Sequence, residues 1–417
     1  MKRIIKKRVR KVAKVKPTFS DYSDSIESFN TAISSVSDVL VARSREIEIL
    51  KLCLLTKEHV LFNGPTGIAK SLLVEALVER VDGVKLFKKQ FMKGTQPDEV
   101  YGCMNSRVYR EESRWEYNTT DMLPEAHIAF LDEIYRASDS LLPSMFSIFN
   151  EREFKNSNTV MRCPLMCAIG TTNFITENEE LEAFHDRWLI KVDVASLVKK
   201  RDKMIMLESF LSREVREPSR VSLETLLELQ ELVGEVEVSD SAKELYTELV
   251  TAYLQVKKAE EYYISDRTFC KAFRLAQAQA LLSFEENEEF ERPIVLPEHL
   301  IVARYALMPS VSDEHESIFD TVYARIVGEY ESSKKERNTF TKMLTMARDF
   351  ESSFDADMDI EDAKDLYRKV KGMLKMISEM TATQRPSSTI GTSLLTDTTH
   401  TLNELHDELK NQLKVGV

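Results

Sequence analysis

A chain of 417 residues with 43% hydrophobic content is long enough for two or three domains with substantial cores. Its 11 glycines and 11 prolines exclude a collagen-like or low-complexity protein, and argue for long helices over a turn-dense all-β fold. The formal charge is −12, yet residues 1–16 hold nine Lys/Arg and no acid. The remainder carries 48 basic against 69 acidic residues, which speaks against broad nucleic-acid binding by the body of the protein.

The basic block Met1–Lys16, interspersed with Val and Ile, reads either as a flexible arm over 1–20 or as a contact to an anionic surface, nucleic acid or acidic partner. Ile26, Phe29, Ile33, Val36 and Leu40 then mark one apolar stripe and predict a helix within 21–42. From residue 43 to about 196 the short apolar runs HVLFN (59–63), HIAFLDE (127–133) and LMCAIGTTN (165–173) alternate with amphipathic segments. That alternation predicts an α/β core: a parallel sheet covered by helices. SRVYR and RWEYN around Glu111-Glu112-Ser113 predict a hairpin inserted at 106–118.

Between 197 and 308 only helical periods occur, which predicts an all-α domain, with Pro297 opening its last helix. The glutamate-rich stretch Glu285–Glu291 reads as a solvated loop. Residues 309–417 stay helical, with Ala363, Leu366, Val370, Leu374 and Ile377, then Leu402, Leu405 and Leu409, in register. The Ser/Thr-rich stretch 381–401 between them predicts a flexible linker. Five scattered cysteines and the lack of a long apolar run predict a cytoplasmic protein without disulfides, a signal or a membrane span.

Five elements carry chemistry. Gly64-Pro65-Thr66-Gly67-Ile68-Ala69-Lys70-Ser71 follows a predicted strand and precedes a helix, the context of a phosphate-binding loop. Lys70 would neutralise phosphate charge and Ser71 would ligate Mg²⁺. Ala69 stands where glycine is usual, at a helix-opening position expected to admit an L-residue. The run Ile128–Leu131 ends in Asp132-Glu133, placing one carboxylate to hold Mg²⁺ through water and the other beside an attacking water. Thr171-Thr172-Asn173 ends a strand, where Asn173 would hold that water. Asp186-Arg187 supplies either a surface ion pair or an arginine able to reach a neighbouring subunit's phosphate. Ser265-Asp266-Arg267 opens a helix, with Arg267 free to sense phosphate.

In this order and spacing the elements resemble an AAA+ ATPase, and more closely the MoxR family and its RavA-type branch. The resemblance rests on 41–55, 64–71, 97–102, 123–138, 149–154, 182–192 and 262–281, and covers about residues 35–308. It implies a P-loop αβα core with an all-α lid, ATP and Mg²⁺ as ligands, and a homo-oligomeric, usually hexameric ring that remodels a protein client. It also implies a von Willebrand A-domain partner. By position it implies that Lys70 and Ser71 bind phosphate and Mg²⁺, that Asp132 holds Mg²⁺, and that Glu133 polarises water. Asn173 resembles sensor 1, Arg187 the arginine finger and Arg267 sensor 2. The inserted 106–118 segment resembles that of the helix-2-insert clade, and Val41–Ile49 the strip beside the adenine. Helices at 21–40, 360–380 and 400–414 would form a three-helix bundle. The rival function is a nucleic-acid motor or restriction-type NTPase of that clade, supported only by the arm 1–16.

Overall fold

The computed structural model describes residues 22–138, 140–173, 184, 186–212, 217–256, 263–284, 292–355, 358–383 and 389–415. The basic arm and the 285–291 loop expected from sequence lie outside the described residues. Two compact units are separated between Thr321 and Val322. Among the described residues no helix is long and apolar enough to cross a membrane.

The first unit begins with α1 (Ser23–Ser34), which buries Ile26, Phe29 and Ile33 at the spacing that predicted it. Helix α2 (Ser44–Thr56) leads into β1 (Val60–Asn63). Then follow α3 (Lys70–Val78), β2 (Leu86–Gln90), α4 (Ser106–Glu112) and β3 (Ile128–Asp132). A hairpin of β4 (Glu153–Asn156) and β5 (Thr159–Arg162) precedes β6 (Cys167–Thr172) and β7 (Ile190–Asp193). The sheet has five strands in the order β2-β3-β6-β1-β7. Every neighbouring pair in it is parallel. All strands therefore finish at one edge, where loops after β1, β3 and β6 converge, the usual place for a ligand in an open α/β sheet. Val60, Leu61 and Phe62, like Ile128 to Leu131, are buried because helices cover both faces.

Three expectations are corrected. SRVYR is helical, within α4, and not a strand. Asn105 caps it by accepting the Val108 N–H at 3.3 Å. Only the ends of the insert pair, through an antiparallel bridge between Met104 and Tyr117. The real hairpin is β4–β5, whose Asn156 clasps the insert by exchanging hydrogen bonds with the Tyr117 backbone at 2.8 and 2.9 Å.

Beyond the sheet, α5 (Lys200–Ser212), α6 (Leu223–Val233), α7 (Asp240–Val256) and α8 (Asp266–Leu282) are followed by a 3-10 segment, Pro297–Ala303. Helix α8 packs on α2, and α1 packs on α2 and α6. Two contacts pin these layers. Gln230 donates to the Leu54 carbonyl at 2.7 Å, and Asn30 to that of Leu282 at 3.1 Å. Val311 then joins the edge of β7, with its N–H donating to Lys191 O at 2.6 Å.

Helix α9 (Asp313–Ser352), α10 (Ile360–Thr383) and α11 (Thr389–Val415) follow. The second unit's core joins Phe340, Met343 and Ala347 to Ala363, Val370, Leu402 and Leu409. The second correction is that the end of α9, not α1, completes this bundle. The third is that residues 389–401 are helix rather than linker: Thr398 and Thr399 return their hydroxyls to the carbonyls of Leu394 and Leu395 at 2.7 Å.

Candidate functional site

At the edge where the strands finish, the loop 64–69 carries the chain from β1 into α3. Gly64 is demanded by close approach, since a Cβ there would stand 2.4 Å from the Val194 carbonyl oxygen. Gly67 adopts φ +82°. Ala69, at the N-cap of α3, adopts φ 63° and ψ 25°. That corrects the expectation of an ordinary helix-opening residue: the left-handed region costs an alanine about 1 kcal/mol. Ahead of the α3 amides, the loop offers the N–H groups and positive dipole end that suit an anion.

Lys70 folds back onto this loop, its Nζ donating to Gly64 O at 2.6 Å and to Thr172 O at 3.0 Å. Gly64 N–H also donates to Thr172 O, at 3.0 Å, so the ends of β1 and β6 are stitched together. Burial lowers the Lys70 ammonium from its ordinary range, and the nearby carboxylates of Glu133 and Asp132 pull it back up.

Asp132 closes β3 and Glu133 follows it with φ 53°, a conformation that favours glycine. A buried hydroxyl holds the pair: Thr171 donates to Asp132 Oδ1 and accepts the Glu133 N–H at 3.2 Å. Glu133 is 7% exposed, and its Oε2 makes no hydrogen bond, with Arg136 Nε at 3.4 Å. The ion pair with Arg136 leaves that oxygen without a well-aligned donor. Such an oxygen is suited to receiving a proton donor from outside the chain. Ser71 lies half-buried in the first turn of α3. The loop, the lysine, Ser71 and the Asp132 carboxylate together fit a phosphate chain with a hard cation that prefers oxygen ligands.

The model of the MoxR domain in the MoxR-vWA-beta-propeller ternary systems matches residues 27–232. An uncharacterised protein of Methanocaldococcus jannaschii is 30% identical over 259 residues, 61% of this chain and 65% of that protein. The chaperone MoxR1 of Mycobacterium tuberculosis is 29% identical over 173 residues, 40% of this chain and 45% of its own length. The chain thus matches less than two thirds of the length of these relatives. A Cytophaga hutchinsonii protein provisionally assigned as an ATPase shares the fold, with a TM-score of 0.56 at 22% identity, over 73% of this chain and 96% of that structure. Residues 27–232 thus match a MoxR domain, and the chain is similar to MoxR proteins over that stretch.

The structure brings Lys70, Asp132 and Glu133 together and leaves both arginines elsewhere. Asn173 is exposed directly after β6. Arg187 stands three residues before β7, whose Ile190 is in register with Val60, so it belongs to the edge where strands begin. Its guanidinium lies 5.0 Å from the Phe146 ring centre and 3.5 Å from Asp186 Oδ2. Arg267 donates to Asn150 at 3.4 Å. Phe146 and Asn150 are the two ends of one five-residue helix. One turn further along α8, Lys271 pairs with Glu58 at 2.6 Å, two residues before β1 begins.

Two contributors escaped the sequence reading. Thr171 was legible only as part of a polar strand end, and its bridging role needed the β3–β6 register. Arg43 sits in the strip that the resemblance flagged. It is 8% exposed and donates to Ile68 O at 3.4 Å and Ala195 O at 3.1 Å, tying α2 to the loop.

Proposed function

We propose that the protein hydrolyses ATP at a site shared between copies in a ring, hexameric by family resemblance, and uses the turnover to remodel a protein client. The observation that carries this reading is the split site. Lys70, Asp132, Glu133 and Thr171 stand at the strand-finishing edge, while Arg187 and Arg267 stand at or beside the opposite one. Four residues of β1 alone span about 13 Å, so in this arrangement each arginine serves a neighbour's nucleotide rather than its own.

In that reading the loop Gly64–Ala69 cradles the phosphates, Lys70 leaves its two carbonyl partners for them, and Ser71 and Asp132 (through water) hold Mg²⁺. The cation supplies charge neutralisation on the phosphate oxygens. Glu133, aligned through Thr171, accepts the water's proton, and Asn173 orients that water. Arg187 from the adjacent copy offsets charge developing in the transition state, and Arg267 reads the phosphate. The exposed Tyr109 and Trp115 on the 106–118 insert, whose rings meet edge to face at 6.3 Å, are the client contact. A von Willebrand A-domain partner is the reading suggested by the systems named in the matching family model. The RavA-type branch rests on the GxxGxAKS form of the loop, and a cytoplasmic location on the sequence.

Glu133→Gln is the test. ATP binding, read by a fluorescent analogue, should persist while phosphate release falls about 10²- to 10⁴-fold. Unchanged phosphate release would refute the assignment.

A further inference from the structure

At the strand-finishing edge one carboxylate has no part in the chemistry proposed above. Asp193 closes β7 and is in register with Asn63, the residue directly before the phosphate loop. Its two oxygens are divided between opposite neighbours. Oδ1 accepts from the Asn63 side-chain amide at 2.9 Å, and Oδ2 accepts from the Ser310 hydroxyl at 2.6 Å. The second distance is that of a charge-assisted O–H···O bond, the stronger kind.

Both neighbours are fixed in turn. On the loop side, Val194 N–H donates to Asn63 O at 2.7 Å and Val194 O packs against Gly64, so a shift at the end of β7 moves the start of the loop. Gly64 O is also where the Lys70 ammonium rests. On the other side, residues 310–311 extend the sheet past β7, with Asp193 N–H donating to Val311 O at 3.1 Å. His315 Nδ1 lies 2.9 Å from Ser310 O, which ties that segment to the first turn of α9. Arg45 joins the same pieces. It donates to Asp193 O at 3.5 Å, and to Asp313 and Glu316 of that turn at 3.0 and 3.2 Å.

We propose that Asp193 is a positioning residue for nucleotide binding, and that through it the start of α9 sets the affinity of the phosphate loop. It acts through Asn63 and Gly64 rather than on the phosphate itself. Its bridge holds the loop where the backbone amides and Lys70 meet a phosphate chain. Linkage is reciprocal, so nucleotide on the loop steadies residues 310–316 by as much as that segment favours the nucleotide. Anything that displaces the start of α9 therefore weakens nucleotide binding, and anything that braces it strengthens it. This rests on the reading that the loop holds ATP, and not on the sharing of the site between copies.

The test measures binding of a fluorescent ATP analogue with Mg²⁺, and steady-state phosphate release, on the full chain. Ser310→Ala leaves the loop and Asn63 untouched. It should weaken analogue binding about five- to tenfold, with KM for ATP rising by a larger factor than kcat falls. Asp193→Ala should weaken binding at least as much, and adding Ser310→Ala to it should change nothing further, because both remove one bridge. Should Asp193→Ala fail to fold, Ser310→Ala carries the test, since it removes a single half-buried hydroxyl. Hydrogen exchange adds a readout that a merely structural loss would not move. In the unaltered chain the analogue should slow exchange at residues 311–316. In Ser310→Ala that slowing should vanish, while the amides of β6 stay protected. Unchanged affinity in Ser310→Ala, or exchange at 311–316 indifferent to the analogue in the unaltered chain, overturns the proposal. If the unaltered chain still binds the analogue, the ATP reading survives that result and only this proposal falls. No binding by the unaltered chain removes both. Failure of Lys70→Ala and Arg187→Ala to complement each other, with the Ser310→Ala loss present, removes only the shared site.

Discussion

Where the strands finish, Thr171 joins Asp132 to the Glu133 amide, Lys70 holds the Gly64 and Thr172 carbonyls beside them, and Glu133 Oε2 makes no hydrogen bond. Where the strands begin, Lys271 pairs with Glu58 and Arg152 donates to the Lys57 and Phe149 carbonyls beside His59, with Arg187 and Arg267 packed on the short helix next to them. His59 accepts the Ala168 N–H at 2.9 Å through Nδ1 and meets Phe149 O through Nε2, so its neutral tautomer is fixed. The first edge is arranged for something to arrive, and the second is a bonded network beside which Arg267 is exposed and Arg187 is half-buried over Phe146. In the proposed reading neither edge alone holds the full hydrolytic set, so association between copies would be part of the chemistry.

The comparison breaks most visibly if Arg187 is dispensable. Arg187→Ala should lower turnover of the assembled protein by about 10³-fold or more, with ATP binding retained, as read by phosphate release alongside nucleotide titration. A smaller loss is expected at the receiving edge from Thr171→Val, which removes the hydroxyl that bridges Asp132 to the Glu133 amide. Turnover should fall about 10- to 100-fold, and Thr171→Ser should recover most of it because the hydroxyl returns.

Why Thr171 and the arginine placement were not legible from the chain is physical. The acidic pair after Leu131, and Lys70-Ser71 after the glycine loop, announce themselves by adjacency to an apolar strand. A bridge between β3 and β6 exists only once the register is set. Likewise Arg187 reads as a local ion pair or as a finger until the edge it occupies is known. In α4 and α11 capping and the buried stripe override what composition suggests. SRVYR alternates enough to suit a strand, but Asn105 caps a helix; Thr398 and Thr399 look like linker residues, yet they satisfy their hydroxyls within a helix whose Leu402, Leu405 and Leu409 stripe is buried.

The strand-beginning edge also predicts an acid sensitivity. Burial first, and then the Arg152 charge, hold the His59 imidazole well below the usual histidine range. The unfolded chain binds that proton more readily, so this contribution to stability is complete above about pH 6.5 and is lost as pH falls below it. Melting temperature measured between pH 7.5 and 5 should drop, and His59→Asn should flatten that slope whatever its effect at pH 7.5. An equal slope in both proteins would place the sensitivity elsewhere. The smallest effect is expected at the loop: Ala69→Gly removes the left-handed alanine and should stabilise by about 1 kcal/mol at most, offset in part by glycine's extra unfolded-state freedom. Thermal unfolding with ATPase activity retained checks it.

The most direct measurement is complementation by mixing. Lys70→Ala, which cannot hold phosphate, and Arg187→Ala, which cannot complete a neighbour's site, should each be nearly inactive alone. Mixed in equal amounts and allowed to exchange, they should recover phosphate release at interfaces where an intact Lys70 edge meets an intact Arg187 edge. No recovery at any mixing ratio, or full turnover by unassembled copies of the unaltered chain, would contradict a site built between two edges.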